Sequence, residues 1–80
     1  MKLPRDLDGV DLAQALGQLG YVKIRQTGSH IRLTTEENGV HHVTIPCHSP
    51  LKPGTLNAVL RDVAEHFGMS RDGVLARILK

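Results

Sequence analysis

From Tyr21 to Pro46 the chain runs in three short segments of alternating apolar and polar residues, with only turn residues between them. No other feature constrains the fold as tightly. Tyr21 to Gln26, His30 to Glu36 and Val40 to Pro46 repeat with period two, which sends successive side chains to opposite faces of a strand. Thr27-Gly28 is expected as a two-residue hairpin turn, and Glu37-Asn38-Gly39 as a second, three-residue turn. Connections this short join antiparallel neighbours only. The expected centre is a three-stranded antiparallel sheet.

Helical periods flank it. Asp8-Gly9 precede the segment Val10 to Leu19, in which Leu12, Leu16 and Leu19 share one face and Gly20 supplies the stop. Pro50 to Pro53 bound a loop, and Pro53 suits the first turn of a helix. Leu56, Val59, Leu60, Val63 and Phe67 form an apolar stripe that ends at Gly68. Ser70 is placed to cap a last short helix carrying Val74, Leu75, Ile78 and Leu79. The fold class is α+β, in the order αβββα with an extra C-terminal helix. The eighty residues read as one domain over 1–80, with a core over 10–67 and a helical extension over 69–80.

Turn lengths then fix the facing of each side chain. A turn at Thr27-Gly28 pairs Arg25 with His30, Ile24 with Ile31, Lys23 with Arg32 and Val22 with Leu33. The second turn pairs Thr34 with His42, Leu33 with Val43, Arg32 with Thr44 and Ile31 with Ile45. In these registers Val22, Ile24, Ile31, Leu33, Val43 and Ile45 face the helices. Lys23, Arg25, His30, Arg32, Thr34, His42 and Thr44 face the other way, onto a sheet surface left open to water. That surface is basic and carries two histidines.

Net charge is +2 with a pI near 9.0, and five histidines add latent positive charge, which favours an anionic partner. Tyr21 and Phe67 are the only aromatic residues, which argues against recognition by stacking bases on aromatic platforms. The single cysteine, Cys47, excludes an internal disulfide and fits a reducing compartment. With no apolar run long enough to span a bilayer, the protein is expected to be cytoplasmic with no membrane partner.

His30 follows directly on the Gly28-Ser29 turn. A histidine fixed at the start of a strand and facing solvent is a candidate general acid–base, because an unperturbed imidazole exchanges protons near neutrality. Arg25 and Arg32 beside it can hold a phosphodiester and stabilise the charge that builds on a phosphorane-like transition state. The alternative is a solvated polar face with an incidental histidine. Lys52 at the head of the long helix adds a further cation where a phosphate can meet free N–H groups, although routine helix capping accounts for it as well. RNA cleavage needs an acid as well as a base, and His42 or His48 are the candidates for that second proton transfer. His41, His42, Cys47 and His48 do not make a metal site: His41 and His42 face opposite ways and Cys47 shares the parity of the core. No metal or cofactor is expected.

Taken in order, Leu19-Gly20-Tyr21, Arg25-Gln26-Thr27-Gly28-Ser29-His30, His42-Val43-Thr44-Ile45-Pro46 and Leu51-Lys52-Pro53-Gly54-Thr55-Leu56 resemble the HicA-type (YcfA-like) mRNA interferase toxins of type II toxin–antitoxin systems. The likeness covers roughly Val10 to Phe67, and Met69 to Lys80 extend beyond the shorter family members. It implies a double-stranded-RNA-binding-domain-like fold and a metal-independent endoribonuclease acting on mRNA. A HicB-type antitoxin is the implied protein partner, and the catalytic histidine of the family falls on His30. The RNA contacts are then expected at Lys23, Arg25, Gly28, Ser29, Arg32 and Lys52. A non-catalytic RNA-binding module using the same face is the alternative, while a purely protein-binding adaptor leaves the basic face unexplained.

Overall fold

In the computed structural model, which describes residues 6–79, a helix, three strands and two further helices follow one another along the chain. The outermost residues of the expected unit 1–80 and of its extension 69–80, namely 1–5 and 80, lie outside the described residues. Helix α1 spans Gly9–Ala15 and tightens into a 3-10 turn over Leu16–Leu19. Its start is a capping box: Asp8 accepts from the Asp11 N–H at 2.8 Å while the Asp11 carboxylate reaches back to the Asp8 N–H, which satisfies two otherwise orphaned donors. Gly20 ends the segment at φ 81, a left-handed conformation that glycine adopts without steric cost.

Strands β1 (Val22–Thr27), β2 (His30–Thr35) and β3 (His41–Pro46) form one antiparallel sheet in the order β1-β2-β3. Helices α2 (Pro53–Phe67) and α3 (Arg71–Ile78) follow, with Ser70 capping α3 through the Gly73 N–H at 3.0 Å. The core lies between the helices and one face of the sheet. Ile31, Leu33, Val43 and Ile45 line it from β2 and β3, and Leu12, Leu16 and Leu19 from the first helical segment. Leu56, Leu60 and Val63 of α2 complete it with Val74, Leu75 and Ile78 of α3. Leu79, expected on the apolar stripe of the last helix, caps it instead and is exposed. The architecture is the expected α+β layout, αβββα with an added helix, of a double-stranded-RNA-binding-domain-like fold.

The β2–β3 register agrees with the sequence reading at each of the pairs Ile31–Ile45, Arg32–Thr44, Leu33–Val43 and Thr34–His42. The β1–β2 register does not. Thr27 pairs with His30, so the loop is Gly28-Ser29 and not Thr27-Gly28. The reason lies in the turn: two-residue hairpin loops of types I′ and II′ both need a positive φ at their first central residue. Gly28 supplies it at φ 57, a value a β-branched threonine resists.

Shifting the loop by one residue leaves the facing of Arg25 unchanged, but a bulge between Lys23 and Arg25 then inverts everything before it. Arg25 opposes Arg32 on the open face, whereas Lys23 opposes Leu33 and turns to the helix side. Val22 opposes Thr34, and both Val22 and Ile24, expected in the core, are exposed at 59% and 50%. Strict alternation from an outward Arg25 directs Tyr21 into solvent. One extra residue reverses that, and Tyr21 is only 3% exposed. The bulge exchanges two aliphatic side chains for the one tyrosine of the chain, whose larger ring fills the core.

Gly9 brings the head of α1 tightly against the end of β3. A Cβ there collides with the Pro46 carbonyl oxygen and lies 3.0 Å from the Cys47 Cα, while one at Gly17 meets nothing within 4 Å. Gly9→Ala is therefore expected to destabilise the fold by about 2 kcal/mol through overpacking, lowering the melting temperature by about 10 °C. Gly17→Ala should leave it unchanged or raise it slightly. Thermal unfolding followed by circular dichroism tests the pair; equal melting temperatures contradict the close approach.

Candidate active site

His30 opens β2 immediately after the Gly28-Ser29 loop, exposed on the uncovered face of the sheet. It shares a pocket of about 130 Å³ with Arg25, Thr27, Arg32 and Thr44. The positions follow from the register: Thr27 is the cross-strand partner of His30, and Arg25 and Thr44 flank Arg32 from β1 and β3. Arg32 Nη1 donates to the Thr44 hydroxyl at 3.2 Å. The three strands contain no aspartate or glutamate, and among the described residues no carboxylate lines this pocket. Two arginines directly opposite each other repel, so the pocket is preset for an anion.

The other expected site residues are distributed unevenly around it. Ser29 accepts at its carbonyl from the Cys47 N–H at 2.6 Å, which ties the hairpin tip to the segment leading into His48. The His48 carbonyl in turn accepts from Gly9 N–H at 3.0 Å. His48 thus stands at the His30 end of the sheet with its side chain exposed. His42 does not: it pairs with Thr34, four residues beyond His30 on β2, which is about 13 Å along the strand. Lys52 is the exposed N-cap residue of α2 and does not line the pocket. Lys23 is the correction that matters most. The bulge carries it off the basic face into a cleft of about 350 Å³ between α1 and β1, walled by Val10, Ala13, Gly17 and Leu33 among others. There its ammonium donates to Gln26 Oε1 at 3.4 Å.

A second polar cluster lies on the helix side of β3, and sequence reasoning missed it. His41 and His42 do face opposite ways, as adjacent strand residues must. His41 Nδ1 takes the Tyr21 hydroxyl at 2.7 Å, and its Nε2 meets Asp62 Oδ1 at 3.2 Å. With Tyr21 as donor, His41 is the Nε2–H tautomer and donates to the carboxylate. The His66 ring stacks on His41 at 4.4 Å and 11°, while its Nε2–H donates to the Glu37 carbonyl at 2.9 Å. Asn38 closes the loop by donating to the His66 carbonyl at 2.8 Å. The cluster ties β3, α2 and the β2–β3 turn together. The signal available was the spacing of Asp62 and His66, one turn apart on one helix face. Among the described residues no group of three or more His, Cys, Asp or Glu side chains is placed to hold a metal ion. Nor is any helix among them long and apolar enough to cross a membrane.

The αβββα order with a single open sheet face already defines a double-stranded-RNA-binding-domain-like protein. A family model described as the HicA toxin of bacterial toxin–antitoxin systems matches residues 9–64, from the start of α1 into the last turn of α2. The chain belongs to the HicA toxin family, a family of ribonuclease toxins; α3 lies beyond the matched residues. No curated protein and no solved structure matches the chain.

Burial pushes the Tyr21 hydroxyl up from 10.0 to about 12, and the Asp62 charge adds to the effect. The neutral phenol is thus favoured by folding. Its contribution to stability is complete below pH 10 and is lost as pH rises through about 12. Tyr21→Phe lacks this group and leaves His41 Nδ1 unpaired, so the wild type should be more stable by about 1 kcal/mol at neutral pH. The difference should shrink from pH 10 upward. Urea denaturation of both proteins across that range measures it, and a constant gap contradicts the assignment.

Proposed function

We propose that this chain is a toxin endoribonuclease that cleaves mRNA by metal-independent acid–base chemistry at His30 and is neutralised by a HicB-type antitoxin. One observation carries the reading: an exposed histidine at the head of a strand shares a pocket with two opposed arginines and, among the described residues, no carboxylate. Membership of a ribonuclease toxin family supports it.

In the proposed reaction the His30 imidazole removes the proton from a ribose 2′-hydroxyl. The resulting oxygen attacks the adjacent phosphorus, the O2′–P bond forms as the P–O5′ bond breaks, and the leaving 5′-oxygen takes a proton. The products are a 2′,3′-cyclic phosphate and a 5′-hydroxyl. Arg25 and Arg32 hold the non-bridging oxygens, whose charge grows in the transition state. Gly28 and Ser29 bring the backbone of the loop up to the RNA, and Lys52 extends the cationic surface beyond the pocket, whereas Lys23, turned to the helix side, has no part in it. His48, held at the His30 end of the sheet, is the better-placed second proton-transfer group; His42 is too far along the strand to reach the same phosphodiester.

His30→Ala should abolish cleavage of a labelled transcript in EDTA while shifting the melting temperature by no more than about 3 °C, as expected for truncation on an exposed face. A 2′-deoxy substrate should remain uncut. Intact RNA that is bound and retarded by the wild type would instead establish a non-catalytic RNA-binding module. His42→Ala should stay within about threefold of wild type, whereas His48→Ala should slow cleavage by about tenfold or more if it moves the second proton. Equal rates for all three proteins remove His48 from that role.

A further inference from the structure

Arg32 stands between two cross-strand neighbours, Arg25 on β1 and Thr44 on β3. From one side it meets a like charge and from the other a hydroxyl that accepts its Nη1–H at 3.2 Å. Repulsion and hydrogen bond act in the same direction, drawing the guanidinium toward β3 and away from Arg25. Both arginines line one pocket, together with His30, Thr27 and Thr44 itself.

The fold itself asks little of Thr44. Its side chain projects from the open face and is exposed, while its neighbours Val43 and Ile45 are the buried residues of β3. The hydroxyl makes one side-chain hydrogen bond among the described residues, the one from Arg32.

We propose that Thr44 is a positioning residue of the His30 site, which holds the Arg32 guanidinium at the β3 side of the pocket so that a phosphodiester enters between two separated arginines. The proposal rests on the ribonuclease reading and adds to it a residue that acts through Arg32. A guanidinium has five N–H donors, so one can be given to Thr44 while others face the phosphate. Held in place, those donors require no reorganisation as charge builds on the non-bridging oxygens. A loosely held Arg32 still attracts RNA by its charge. The loss should therefore fall on kcat and leave KM nearly unchanged.

A structural role and a positioning role predict opposite orders of substitution. Valine keeps the β-branched shape that strands favour, and serine loses it; serine keeps the hydroxyl, and valine loses it. If Thr44 served only the strand, Thr44→Val should equal wild type and Thr44→Ser should be the weaker protein. The positioning role predicts the reverse in catalysis. Steady-state cleavage of one labelled transcript should show kcat for Thr44→Val lowered about tenfold, the scale of a hydrogen bond to a charged group. KM and melting temperature should be unchanged, and Thr44→Ser should restore kcat to within about twofold. In an Arg32→Ala background Thr44→Val should add no further loss, because the two substitutions remove one interaction. A Thr44→Val enzyme with wild-type kcat, or an undiminished loss in the Arg32→Ala background, overturns the proposal while leaving the ribonuclease reading intact. If the wild type leaves the transcript uncut, the ribonuclease reading fails and this proposal with it.

Discussion

The extra residue in β1 at Ile24 governs the rest of the arrangement. Without it, the strand that carries Arg25 to the open face would carry Tyr21 there too. With it, one strand serves two surfaces: Arg25 and Thr27 reach the sheet face beside His30, and Tyr21 enters the core to meet His41. Bulges are frequent beside functional sites because they re-aim side chains without breaking a sheet. Here the re-aimed group is a buried ring, and through His41 and Asp62 it connects the first strand to the third and to α2. The edge strand, left with exposed Val22 and Ile24, is also made irregular, which discourages it from pairing with other chains.

The site is built from features that are individually ordinary. A glycine with a positive φ makes the loop, the loop sets the register, and the register places Arg25, Arg32 and Thr44 in a row across the three strands. Hydrogen bonds from Cys47 to Ser29 and from Gly9 to His48 then fasten the His30 end of the sheet to the head of α1. Position 9 has no room for a side chain unless the backbone shifts, because Pro46 lies against it. His30 thus stands on backbone that three elements hold in place.

Much of this was legible from the residues alone. The alternating segments and helical stripes determine the order αβββα plus a helix, and the three-residue turn at Glu37-Asn38-Gly39 gives the β2–β3 register without error. Alternation places His30, Arg25 and Arg32 on the open face, where they stand. Lys23, Val22 and Ile24 were not legible, because a pairing read outward from the turn assumes uninterrupted alternation, and no residue type announces the bulge. Its only trace was the conflict it resolves, a tyrosine that alternation directs into water. Alternation alone puts the turn one residue too early, whereas the need for a positive φ at its first central position singles out Gly28. The His41–Asp62–His66 cluster depends on the docking of α2 against β3, a long-range contact that local pattern does not encode.

Opposing arginines on adjacent strands have a further consequence, for folding itself. In the free chain their repulsion subtracts from a stability that is small for a domain of this size. An anion seated between them would meet a site that the unfolded chain lacks, and the folded fraction would then rise with its concentration. The stability of such a sheet would be a property of its surroundings as well as of its contacts.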